Sequence, residues 1–257
     1  MPEEFYGNAA FIMVFLGTMA KGNEIWTDVL AVWTTRGHAV ALVGLCASVV
    51  TLGVLVALVI SELLLLPLPE IRLTFGTLLL VFGMRWLRKA ILRYTGAIAK
   101  RDEKAVFQTI TKILKRPRDS VSTGFDWFGA LHAFRSAFLN GLQIIFILIA
   151  LASAGHALRE ASLGAVLASA MVIVLGLCFR RPLIEIPGNR LKFSVGVLLS
   201  AFGTFWTAEG LGFSWPASHL TILIIALAFW SVGWVAVLRG DADQKYATII
   251  PFKTPIP

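Results

Sequence analysis

The sequence predicts an all-α integral membrane protein with seven transmembrane helices, built as a 3+3 inverted repeat plus one extra C-terminal helix. Three observations predict this. First, 57% of the 257 residues are hydrophobic and only 15% are charged, a balance foreign to soluble domains of this length. Second, apolar runs long enough to cross a bilayer occur at 9–33, 38–60, 71–93, 128–152, 157–179, 190–213 and 218–238. Third, a motif recurs. Ile71-Arg72-Leu73-Thr74-Phe75-Gly76 and Phe82-Gly83-x-x-Trp86 return 120 residues later as Leu191-Lys192-Phe193-Ser194-Val195-Gly196 and Phe202-Gly203-x-x-Trp206. A unit with an odd number of spans re-enters from the opposite side when duplicated. The two copies are therefore related by a two-fold axis in the membrane plane, and a transporter of this build carries its site where they meet.

The first repeat occupies 1–93. Its first span is the least apolar, because it keeps Lys21, Glu24 and Asp28. The start, Met1-Pro2-Glu3-Glu4, is acidic and lacks the basic region of a cleavable signal peptide. Gly37-His38-Ala39 follows the first span and matches Gly155-His156-Ala157 after the fourth. Pro67 and Pro69 close the second span, as Pro182 and Pro187 close the fifth, and each pair makes a turn before the repeated helix. Cys46 and Cys178, in the second and fifth spans, lack CxxC spacing and read as free, buried, small apolar side chains.

Residues 94–126 form a basic loop between the repeats. Within it Val106, Phe107, Ile110, Ile113 and Leu114 fall at helical spacing among Lys104, Lys112 and Lys115. This reads as an amphipathic helix on the cytoplasmic lipid surface, with a partner-binding helix as the alternative. Phe125, Trp127 and Phe128 suit an interfacial aromatic anchor. The second repeat takes 127–213, and 214–257 supplies the seventh helix and a tail. Gly76, Gly83, Gly196 and Gly203 form notches seven residues apart for close helix packing.

The net charge of +8 is a topology signal rather than a nucleic-acid footprint. Between spans, nineteen Lys and Arg fall on one side, eleven of them from Arg85 to Arg118, against Arg72 and Arg159 on the other. Lys192 is counted with the nineteen. The asymmetry places the N-terminus outside and the C-terminus in the cytoplasm.

A charge at the bilayer centre costs roughly 2.5–3.5 kcal/mol on insertion scales, so intramembrane polar residues are functional candidates. Lys21, Glu24 and Asp28 occur at i, i+3 and i+7, within about 60° of one another on a helix face. In the fourth span His132, Arg135, Asn140 and Gln143 cover a broader face. Lys21/Glu24 and Asn140/Gln143 occupy equivalent positions in the two repeats, and inversion brings them together near the midplane. Glu62, Glu70 and Glu209 fall at the outer interface, where Glu209 is either the lining of an entry path or a solvated helix end. His132 with Arg135 reads as a relay fragment or as headgroup contacts, and His38 and His156 as interfacial residues. No HExxH, GxxxxGK[ST] or haem ligand pair occurs, so enzymatic chemistry has no visible basis and no cofactor is expected.

Lys21-x-x-Glu24 and Asn140-x-x-Gln143 sit where inverted-repeat cation exchangers carry an E-x-x-[ED] motif in each half. Further matching stretches are Thr35-Arg36-Gly37, Phe82 through Arg93, Phe125-Asp126-Trp127, Arg180-Arg181-Pro182-Leu183, Leu191-Lys192-Phe193 and Phe202 through Gly212. On these the chain, over about residues 10–240, resembles the bacterial relatives of the Golgi calcium/manganese–proton antiporter family, in their calcium/proton antiporter branch. The resemblance implies a cation site on the first and fourth spans, each carrying two carboxylates. This chain keeps only Glu24 of the four: Lys21 replaces one, and Asn140 and Gln143 replace the other two. A hard divalent ion needs several mostly charged oxygen ligands, and amides do not titrate. Lys21 then acts as a tethered internal cation, paired with Glu24 or Asp28. The expectation is a transport-impaired exchanger derivative serving as a structural or accessory subunit beside other membrane subunits. The alternatives are a working exchanger of altered selectivity that uses Glu24 and Asp28, and a Lys21 that snorkels while Glu24 merely pairs with it.

Overall fold

The computed structural model describes residues 2–63, 67–98, 102–115, 125–155, 157–179, 188–216 and 218–249. These form α1 (Pro2–Arg36), α2 (His38–Leu63), α3 (Leu68–Tyr94), α4 (Glu103–Lys115), α5 (Trp127–Gly155), α6 (Leu158–Phe179), α7 (Gly188–Gly210) and α8 (Ser218–Ile249). Among the described residues there is no strand. Five helices, α2, α5, α6, α7 and α8, are long and apolar enough to cross a membrane. The 35-residue α1 and 27-residue α3 match them in length. They are more polar, because α1 carries Lys21, Glu24 and Asp28 and α3 carries Arg72, Arg85, Arg88, Lys89 and Arg93.

Local chemistry sets the helix boundaries. Gly37 alone separates α1 from α2, at φ +98°, a conformation that L side chains rarely adopt. Pro67, extended at φ −61° and ψ 145°, caps α3, and Pro69 follows within its first turn, where a missing N–H costs nothing. Pro182, Pro187, His156, Arg180 and Arg181 lie outside the described residues, as does the Glu62 side chain.

The core is the antiparallel pair α3 and α7. A Cβ on Gly203 would lie 2.3 Å from the Leu80 nitrogen, and one on Gly83 would lie 2.5 Å from the Ser200 nitrogen. Only glycine permits backbones this close. The contacts are reciprocal: Gly76 meets Thr207 while its counterpart Gly196 meets Leu87. The same reciprocity joins the flanking helices. Gly44 of α2 abuts the Ala130 carbonyl and the Phe134 nitrogen of α5, and Gly164 of α6 abuts the Phe11 carbonyl and the Phe15 nitrogen of α1. Gly22 meets Val172, and Gly141 meets Leu52.

Around this core, α2, α6 and α8 expose many apolar side chains, among them Val50, Leu58, Val166, Val174, Ile224 and Val232. Faces of this kind suit a lipid bilayer. Cys46 and Cys178 are free, as expected, but exposed on these faces rather than buried, because each lies on the side of its helix turned from the core.

The amphipathic helix is α4, and Phe107, Ile110 and Leu114 of its stripe meet protein, while Ile113 stays exposed. Leu114 is fully buried, and Phe107 and Ile110 pack with it against Val29, Val32, Val40 and Ala133. Arg36 fixes it by donating to the Leu114 carbonyl and pairing with Asp126 at 3.3 Å. Trp127 is exposed and stands edge-on to Phe125, with centroids 5.1 Å apart.

Candidate ion site

Four helices converge on one polar cluster. The face of α1 that carries Lys21 and Glu24 turns inward, where the side chains are nine-tenths buried. Lys21 Nζ donates to Glu24 Oε2 at 3.4 Å and to Asn140 Oδ1, on α5, at 3.3 Å. It also lies 5.3 Å from the centre of the Trp86 ring of α3, within cation–π range. From α7, Lys192 Nζ donates to Glu24 Oε1. Asn140 is held in turn by its Nδ2, which donates to the Ser136 carbonyl at 3.0 Å.

The result is a carboxylate bridged by two ammonium groups, a formal charge of +1 inside the helix bundle. Burying these charges is tolerable because each has a partner. Both Glu24 oxygens and the Asn140 carbonyl oxygen, the natural cation ligands here, already accept from lysines. Among the described residues no group of three His, Cys, Asp or Glu is placed to hold a metal ion.

Lys21, Glu24 and Asn140 therefore come together. Asp28, one turn further along α1 than Glu24, accepts from Ser136 Oγ on α5. Gln143 is not drawn into the cluster; its Nε2 donates to the Leu139 carbonyl of its own helix at 3.0 Å. His132, half-buried, and Arg135, exposed, lie nearer the start of α5. Glu209, near the end of α7, pairs with Arg72 at 3.1 Å. The antiparallel crossing of α3 and α7 brings Arg72 across to it.

Sequence reasoning missed Lys192. As the counterpart of Arg72 beside a basic stretch, it was counted as a loop charge, yet it is only 8% exposed. A signal was present: Lys192 is in phase with Gly196, Leu199, Gly203 and Trp206, the buried stripe of α7. Ser136 and Trp86 are further participants, and neither carries a formal charge. No family model, no curated protein and no solved structure matches the chain.

Proposed function

We propose that this protein is a seven-span inner-membrane protein on an inverted-repeat cation/proton exchanger scaffold whose ion site is closed by its own lysines. It is transport-impaired and serves as a structural or accessory subunit of a larger membrane complex. The observation that carries the reading is the double bridging of Glu24 by Lys21 and Lys192. Two tethered ammonium groups fill the place of a divalent ion's charge and repel the ion itself. The reciprocal glycine contacts support the inverted repeat, since a two-fold axis makes residue i meet j wherever the counterpart of j meets that of i. Lys21 and Asn140, 119 residues apart at equivalent positions, bond directly, as residues beside such an axis do. The N-out, C-in orientation rests on the excess of basic residues on one side.

Flux measurement tests the impairment. Purified protein in proteoliposomes under a pH gradient is expected to move neither calcium nor manganese above empty vesicles, and robust proton-coupled uptake would sink the reading. Mild-detergent extraction from the native membrane is expected to recover the protein in stoichiometric association with other subunits. A lone monomer or dimer would remove the accessory role.

The Asp28–Ser136 pair favours a second reading, a working exchanger of altered selectivity, because it places a second carboxylate of α1 against α5. It predicts flux of a monovalent ion that Asp28→Asn abolishes.

A further inference from the structure

The outer face of α3 changes character abruptly. Leu78, Val81 and Met84 are 38–48% exposed on it. Arg85, Arg88 and Lys89 continue the exposed face toward the C-terminal end of the helix. Among the described residues, neither Arg85 nor Arg88 has an ion-pair partner.

The neighbouring helix sets the depth of these cations. Gly233 of α8 abuts Leu87, and Gly240 abuts Thr95, so α8 runs parallel to α3. In that register Arg85 lies level with Ser231 and Arg88 level with Trp234. Yet α8 goes on presenting apolar side chains outward, Val235 at 46% and Leu238 at 57% exposure, before Arg239. At 1.5 Å per residue the apolar surface of α8 extends about 10 Å beyond the level of Arg85 and about 6 Å beyond Arg88. Two exposed guanidinium groups therefore sit beside a surface suited to hydrocarbon, where an uncompensated charge is costly. The planar guanidinium matches a phosphate with paired N–H donors.

We propose that this face binds an anionic phospholipid. Arg85 and Arg88 hold its phosphate, and an acyl chain lies along Met84, Val81 and Leu78. The apolar stripe directly above the two arginines favours a lipid over an acidic protein segment, because one phospholipid supplies both the anion and the hydrocarbon. The site is separate from the Lys21–Glu24–Lys192 cluster and needs only that the chain is embedded in a bilayer.

Native mass spectrometry of the full chain in mild detergent, titrated with phosphatidylglycerol or phosphatidylcholine, tests this. The wild type is expected to bind phosphatidylglycerol in preference, and the R85Q/R88Q double variant to lose about thirtyfold in that affinity, two cations' worth of headgroup attraction. R85K/R88K should fall between the two, keeping the charge but losing the paired donors. K104Q/K112Q, on the exposed side of α4, should keep all of it. Equal binding of the two lipids by the wild type overturns the proposal without reference to any variant. So does an equal loss in K104Q/K112Q, which would mean diffuse attraction rather than a site. A co-purifying protein released by R85Q/R88Q, with lipid binding unchanged, would give the face to a protein carboxylate instead.

Discussion

Lys192 bonds to Glu24 across 168 residues of sequence, tying the start of α7 to the middle of α1. Glu24 is also the partner of Lys21, one turn earlier on its own helix. Removing the carboxylate therefore takes an anionic acceptor from two buried cations at once. Glu24→Gln is expected to cost about 3–5 kcal/mol, as breaking a buried ion pair does. Lys192→Met should cost clearly less, because Lys21 still neutralises Glu24. Thermal unfolding in detergent measures both, and equal losses would mean that Lys21 contributes no compensation.

The same geometry bears on what added carboxylates would do at this site. Exchanging Lys21, Asn140 and Gln143 for Glu supplies carboxylates but leaves Lys192 on Glu24. That triple variant is expected to show no calcium or manganese flux in proteoliposomes. Adding Lys192→Gln is expected to permit it. Flux in the triple variant alone would show that Lys192 is no lock.

Glycines on opposite sides of the packing problem should respond with opposite signs. Gly203→Ala drives a methyl group to 2.3 Å from the backbone of α3 and is expected to cost about 1–3 kcal/mol or more through overpacking. Gly53 faces open space on α2, so Gly53→Ala should stabilise by up to about 1 kcal/mol through helix propensity. Melting temperatures that move the same way for both would contradict the close α3–α7 approach.

Arg36 is the clasp of α4. Arg36→Ala removes the bond to the Leu114 carbonyl and the Asp126 pair, at a local cost of about 1–3 kcal/mol. Hydrogen exchange should quicken in α4 while amides of α7 stay protected. Unchanged protection in α4 would show that its apolar stripe suffices to hold it.

Much of the fold was legible because hydrophobic periodicity and length act locally. Helices occupy the seven expected apolar stretches, five of them long and apolar enough to cross a membrane, and the Gly76, Gly83, Gly196 and Gly203 notches lie where α3 and α7 meet. The α4 stripe was legible as amphipathic, but periodicity cannot say whether the apolar face meets lipid or protein. Cys46 and Cys178 were misplaced for a related reason: in a membrane protein an apolar residue can face outward as stably as inward.

By itself the sequence determined the helical class, the duplicated motif and the polar face of Lys21, Glu24 and Asp28 on an otherwise apolar span, all readable from residue identity and spacing. The tertiary structure alone decided which charges meet. Lys192, Arg72 and Lys21 are cations of similar local appearance. The antiparallel crossing of α3 and α7 sends Arg72 to Glu209, while the packing of α7 beside α1 delivers Lys192 to Glu24. Ion pairing depends on distances of a few ångströms between groups far apart in the chain, and only the packed helices set those distances.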